Sequence, residues 1–348
     1  MTAGRRLLAV TTMDENKPKL DRVHPATVLD LYLAERETDL AERTRRSQRY
    51  VLERFVAWCD ERDVTAVADL DGRDLHEFRL DRRDDVSGNT LRSQLGVLRQ
   101  YIRFAESIEA ATRGLAERIR LPQAEQKTRD DRLETEMAEI VLDHLRTFQY
   151  ASRDHALLRL LWVTAIRVGT ARAFDLNDFD RDERTLAVRH RPDTATPLKN
   201  GDRAERLLAL DEQTVETLAD YIDHARPNVT DKHDRAPLFA TDRGRVGAST
   251  IRRAVYRWTR PCQRGEGCPH DRDLDDCEAR QTVMHAAQCP STRSPHDIRR
   301  GSISHYLANQ TPVRALSDRA DVSEDVLDKH YDVRSEEERT ETRREFFE

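Results

Sequence analysis

The chain has 348 residues, 37% hydrophobic and 36% charged, which is length and apolar content for two cored domains. Acidic residues outnumber basic ones 65 to 59, the net charge is −6, and only six of the 59 Lys+Arg are lysines. No stretch is apolar enough to span a membrane, the run Leu7–Val10 is too short for a signal peptide, and five cysteines make no disulfide framework, so a cytoplasmic protein is predicted. The acid-dominated balance argues against a broad basic surface for nucleic acid. It fits adaptation to high intracellular salt, a halophile signature, where the Debye length falls to about 3 Å or less. Counterion release then contributes little, and anion contacts must be short-range, as arginine's fork allows.

Residues 1–22 are charged and aperiodic and read as a disordered tail. Residues 23–121 have a helical apolar pattern. Leu29, Tyr32 and Leu33 make one stripe, Tyr50, Val51, Leu52, Phe55, Val56 and Trp58 a second, and Leu91, Leu95, Leu98, Tyr101, Ile102 and Ala105 a third. Ser87-Gly88-Asn89 is a start signal for the last of these. Four or five such helices make a small all-α domain. The polar stretch 122–132 is the predicted linker.

The second domain is assigned to 133–348. Thr135-Glu136 opens a helix with Ile140, Val141 and Leu145, and a second helix over Asp154–Val163 ends in Thr164-Ala165-Ile166-Arg167. The period then changes. Leu186–Val188 and Leu207–Leu210 read as strands around a turn at Lys199-Asn200-Gly201. Helices are predicted at about 212–225, 249–260, 296–309 and 323–331, the last capped by Ser323 with Glu324 and Asp325 in its first turn. The fold class is mainly α with a small β-sheet.

Several polar residues stand out, and each alone has an ordinary structural reading. Arg167 follows an apolar helix, where a cation suits the helix dipole. Lys199 sits in a turn. His296 and Arg299 in His296-Asp297-Ile298-Arg299 share a helix face. Tyr331 shares a stripe with Val326 and Leu327, as a core aromatic would.

Together they resemble the tyrosine recombinases of the phage integrase family, Xer-like and of a halophilic archaeal type. Thr164-Ala165-Ile166-Arg167 with Asp175-Leu176-Asn177-Asp178-Phe179-Asp180 resembles the first-arginine motif, and Lys199-Asn200-Gly201 the hairpin that carries the family lysine. His296-Asp297-Ile298-Arg299 matches H-x-x-R, and Tyr331 stands at the usual place for the nucleophile. The layout extends over roughly 24–335. The resemblance implies a helical, SAM-like core-binding domain and an integrase-type DNA breaking–rejoining catalytic domain. It implies that Tyr331 attacks a DNA phosphodiester, Arg167 and Arg299 clamp its non-bridging oxygens, His296 serves as base or phosphate ligand and Lys199 protonates the leaving 5′ oxygen. It also implies no cofactor for catalysis, a specific double-stranded DNA site as partner and a synaptic tetramer on DNA. Two readings stay open beside it: a catalytically decayed integrase-like DNA-binding protein, and a type IB topoisomerase-like enzyme.

The sequence departs from the family pattern twice. Asp321 stands where a second His or Trp donor is usual, and ionised Asp only accepts; His330 is a weak substitute. Thr170 stands where the first arginine usually has an acidic neighbour. A further feature is the Cys-rich segment 261–290. Cys262, Cys268, Cys277 and Cys289, with His270 and His285 as alternatives, fit a structural zinc site, although the spacing is not the compact C-x₂-C form. Small core cysteines are the competing reading; Cys59 stands apart.

Overall fold

The computed structural model describes residues 21–123, 132–282 and 284–330, with the backbone alone for His330. Most of the tail 1–22 and of the linker 122–132, Tyr331 and the C-terminal Ser335–Glu348 lie outside these residues. The chain divides into two compact units, 1–128 and 129–348.

The first unit contains α1 (Pro25–Glu35), α2 (Glu42–Asp60), α3 (Gly72–Asp85) and α4 (Gly88–Ser107). Local chemistry sets their starts. Pro25 occupies the first turn of α1, Asp71 and Asp74 form a reciprocal capping box on α3, and the Ser87 hydroxyl accepts from the amide of Thr90 at α4. Tyr32, Phe55, Phe78 and Tyr101 meet in the core, with Phe55 edge-on to Phe78 at 5.0 Å. One expectation fails: Tyr50 is exposed, because Leu52, Phe55, Val56 and Cys59 define the inward face of α2.

The second unit contains α5 (Thr135–Phe148), α6 (Arg153–Thr164), α7 (Val168–Ala173), β1 (Phe179–Asp180), β2 (Thr185–Val188), β3 (Arg206–Ala209), α8 (Glu212–Asp220), β4 (Ala240–Thr241), β5 (Gly244–Arg245), α9 (Ala248–Trp258), α10 (Glu278–Gln281), α11 (Pro295–Ala308), α12 (Val313–Ala320) and α13 (Glu324–His330). The helix α6 is apolar nearly all round, so it is the central, buried helix and packs against α5, α8 and α11. The strands β1, β2 and β3 form an antiparallel sheet in that order, with Leu186 opposite both Phe179 and Leu208. A smaller cluster of Ala165, Ile303, Leu307, Leu316, Ala320 and Leu327 joins the end of α6 to α11, α12 and α13.

The β2–β3 connection adds a second turn to the one expected from the sequence. The ladder ends at Val188 opposite Arg206, so residues 189–205 lie outside it. One turn is at Ala195, in the left-handed region with φ 59°, where Arg191 pairs with Thr196; the expected turn at Lys199-Asn200-Gly201 follows, closed by the Gly201 amide on the carbonyl of Leu198 at 3.3 Å, and leads into a 3₁₀ turn over Gly201–Ala204. Buried ion pairs hold this loop. Arg191 pairs with Asp178, and Arg235 donates to Asp175 (2.9 Å) and to the side chain of Thr196 (2.8 Å). Asp175 also pairs with Arg245.

Among the described residues, no helix is long and apolar enough to cross a membrane.

Candidate active site

The H-x-x-R residues are placed by the start of α11. Ser294 and Asp297 form a capping box and Pro295 fills the first turn, so the helix begins one residue before His296. His296 thereby faces solvent and Arg299, a turn later, is buried at 3% exposure. Arg299 donates to the carbonyls of Ala165 and Ala320, each 2.6 Å away. Ala165 ends α6 in the left-handed conformation, φ 52°. The residue after Ile166, Arg167, N-caps α7.

The guanidinium of Arg167 pairs with the Asp321 carboxylate and donates to the Asp321 main-chain carbonyl at 2.7 Å. Asp321 is the left-handed C-cap of α12. Its other carboxylate oxygen accepts from the side-chain amide of Asn200 at 2.9 Å. Lys199 is exposed beside it and makes no hydrogen bond or ion pair with a described residue. Asp321 therefore stands against Arg167 as an acceptor and does not present a second donor.

Arg167, Lys199, His296, Arg299 and Asp321 line one cleft of about 980 Å³. Sequence reasoning missed Asn200, Arg203, Arg206 and Ser317 on its walls. Arg206 is fixed by its bond to the carbonyl of Arg319, 2.9 Å away. Five permanent cations line the cleft against three acids, although the chain as a whole is negative. The His296 imidazole is held below the usual histidine value, first by loss of water in the cleft wall and then by Arg300, Arg299 and Arg167, with Asp297 opposing them. Its side chain is open to the cleft, so the depression is partial, and it favours the neutral ring.

The helix α13 carries Val326 into the cleft wall and Leu327 into the small apolar cluster. Its described part runs to His330, and Tyr331 lies outside the described residues. Thr170 is buried on α7.

The cysteines all have free thiols. Cys262 lies in the turn Pro261–Arg264, Cys277 N-caps α10, and Cys289 is buried after a turn at Ala286–Gln288. His270 meets the Ser291 hydroxyl at 2.8 Å. The Cys262 thiol is pushed up by burial, an effect that Arg260 opposes and the three neighbouring thiols of Cys289, Cys268 and Cys277 reinforce. Even so, among the described residues no group of three or more His, Cys, Asp or Glu converges to hold a metal ion. The ligand set expected from the sequence is not assembled.

Comparison with known proteins follows the same outline. The sequence model described as "Phage integrase family" matches residues 131–331. Tyrosine recombinase XerD of Mycobacterium tuberculosis is 26% identical over 60% of this chain and 68% of its own. Tyrosine recombinase XerC 2 of Ralstonia nicotianae is 26% identical over 58% of this chain and 57% of its own. Among solved structures, the Tn1549 transposon integrase in complex with a circular intermediate DNA covers 93% of this chain and 100% of that one, at 15% identity and a TM-score of 0.63. A lambda integrase dimer bound to a COC′ core site covers 91% and 79%, at 13% identity and a TM-score of 0.62. With a family match over more than half its length, this chain belongs to the phage integrase family of tyrosine recombinases.

Proposed function

We propose that this chain cuts and rejoins double-stranded DNA at a specific site through a 3′-phosphotyrosine link to Tyr331. The observation that carries the reading is the gathering of Arg167, Arg299, His296 and Lys199 in one cleft, from distant parts of the sequence. The attacked phosphate gains charge on its non-bridging oxygens, which two arginines stabilise with forked bonds. The Tyr331 hydroxyl, with a reference pKa of about 10, gives its proton to neutral His296 as the new P–O bond forms. The P–O5′ bond breaks, and Lys199 gives a proton to the leaving oxygen. A 5′ hydroxyl of another strand then reverses the steps and frees Tyr331. No metal takes part in these steps.

The partner is a DNA duplex carrying a recombination site, as in the DNA complexes of the Tn1549 and lambda integrases. Four protomers would join two duplexes. The acid-rich composition points to work in the cytoplasm of a salt-accumulating cell. The test is a nicked site that traps the covalent adduct. An adduct that disappears in Tyr331→Phe supports the reading. No adduct at low or multimolar salt overturns it in favour of a DNA-binding protein without catalysis. Relaxation of supercoils with no site preference favours a topoisomerase.

The cysteine-rich segment carries a second proposal, a structural zinc held by Cys262, Cys268, Cys277 and Cys289, with His270 or His285 in place of one of them. Its support is a shortage of apolar burial. Between 261 and 290 the only buried apolar side chains among the described residues are Ala279, Ala286 and Cys289, too few to hold a fold of this length. One zinc per chain in protein purified without chelator supports the site, and none overturns it.

A further inference from the structure

The two departures from the family pattern both concern Arg167. Thr170, where an acid would brace Arg167, is neutral and buried. Asp321, from the far end of the unit, supplies a carboxylate to the same arginine. We propose that Asp321 is a positioning residue whose carboxylate orients Arg167 and, through Asn200, ties the Lys199 loop to it, so that one side chain sets both the phosphate clamp and the proton donor. This rests on the recombinase reading of the cleft.

The geometry supports the proposal in three ways. First, the two carboxylate oxygens of Asp321 are divided, Oδ2 to Arg167 and Oδ1 to Asn200. The side chain thus bridges an element following α6 and a loop between two strands. Within the loop the Leu198 amide donates to His190 Nδ1 at 2.9 Å and the Gly201 amide to the carbonyl of Leu198 at 3.3 Å, so the Asn200 bond adds a tie from this loop to the carboxylate that holds Arg167. Second, the Asp321 main chain takes part. Its left-handed conformation, φ 52° and ψ 62°, accompanies a carbonyl that accepts from the second terminal nitrogen of Arg167. Asp and Asn adopt this conformation far more readily than most residues. Third, arginine has five N–H donors. Asp321 takes two, and the guanidinium keeps others for a phosphate, so bracing and phosphate binding are compatible. A carboxylate beside a phosphate weakens simple anion binding; its gain is a fixed arginine, which matters for the rate of attack more than for affinity.

The test compares two nicked DNA substrates, one with the normal 5′ oxygen at the scissile phosphate and one with sulfur in its place. Attack by Tyr331 forms the same P–O bond in each. In the second the P–S bond breaks and a thiolate leaves without needing a proton. Asp321→Asn keeps the size and the left-handed backbone but loses the charge. It is expected to lose about 100-fold in single-turnover adduct formation on the oxygen substrate with DNA affinity maintained. Sulfur should restore only part of that loss, because Arg167 remains misplaced. Asn200→Ala, on an exposed loop, leaves Arg167 braced, so its defect should disappear on the sulfur substrate. Thermal unfolding of both variants checks the fold, and Asn200→Ala carries the test if Asp321→Asn is unstable. Asp321→Asn at the wild-type rate, or an Asn200→Ala defect that sulfur does not relieve, overturns the proposal while wild type still forms adduct. Wild type without adduct on either substrate instead overturns the recombinase reading itself.

Discussion

Arg299 donates to the carbonyl oxygen of Ala165 across 2.6 Å, and Ala165 is the left-handed residue that ends the central helix α6. The same guanidinium nitrogen reaches the carbonyl of Ala320, at the end of α12. A cleft arginine thus holds two helix ends in register while presenting itself to the cleft. Arg299→Lys should fail for this reason. An ammonium on a flexible stem cannot reproduce a planar fork with several fixed donors. Adduct formation should fall by about 100-fold or more, with DNA binding less affected. Retention of most activity would show that charge alone suffices.

Gly301 has to be glycine because of what lies against it. A Cβ there would lie 1.9 Å from the carbonyl oxygen of Leu133, which is backbone and has no rotamer to adopt. The Leu133 amide in turn donates to the carbonyl of Asp297, inside the H-x-x-R motif. Gly301→Ala must therefore push the incoming chain off α11. Overpacking of this kind costs about 1–3 kcal/mol. Chemical denaturation should show that loss, and the cleavage rate should fall with it because α11 carries His296 and Arg299.

Much of this is legible in the sequence. The stripe Leu91, Leu95, Leu98, Tyr101 and Ile102 marks α4, and the cap at Ser87 marks its start, because both signals are local. His296 and Arg299 on one helical turn, and the pair of strands around Leu186 and Leu208, are visible for the same reason. What escapes depends on contacts between distant segments. The helix α12 has only Leu316 and Ala320 buried in eight residues, too few to show a period. The turn at Lys199-Asn200-Gly201 is local and forms as its residue types suggest, whereas the additional turn at Ala195 is held by Arg235, which reaches Thr194 and Thr196 from a distant segment. The bond from Asn200 to Asp321 has no sequence signal, since neither residue type favours the other at a fixed spacing.

Asp175 tests how far buried charge supports the Lys199 loop. Its carboxylate is shared by Arg235 and Arg245, and both arginines are largely buried. Asp175→Ala leaves two cations without their common partner. Breaking such a pair from one side costs about 3–5 kcal/mol. Arg235 would then hold Thr194 and Thr196 less firmly, so proteolysis between 189 and 205 should accelerate. Full stability in the variant would mean that Asp231, the other partner of Arg245, is sufficient.

The depressed pKa of His296 predicts where activity is lost in acid. Crowding and cationic neighbours favour the neutral ring, so a base role survives below the ordinary histidine value of 6.5. The acid limb of the adduct rate should lie below pH 6.5, and Arg300→Gln should move it upward by removing the largest cationic contribution. An acid limb that does not respond to Arg300→Gln would assign the limb to another group.

His155 gives a pH effect on stability that is separate from catalysis. It is buried in the first turn of α6, 1% exposed, and its Nδ1 accepts from the amide of Ala151 at 3.2 Å. Burial, aided by Arg159 and Arg146, lowers its value from 6.5 to about 4. Between those two values the unfolded chain binds a proton that the folded chain refuses. Unfolded protein holds more protons there, so stability rises with pH across that window and falls as pH drops through it. Each tenfold difference in proton affinity between the two states is worth about 1.4 kcal/mol, so the loss should approach roughly 3 kcal/mol by pH 4. His155→Gln removes the titration, so its unfolding free energy should vary less than that of wild type between pH 6.5 and 4. Parallel curves for the two proteins would show that His155 does not carry the acid sensitivity of this unit.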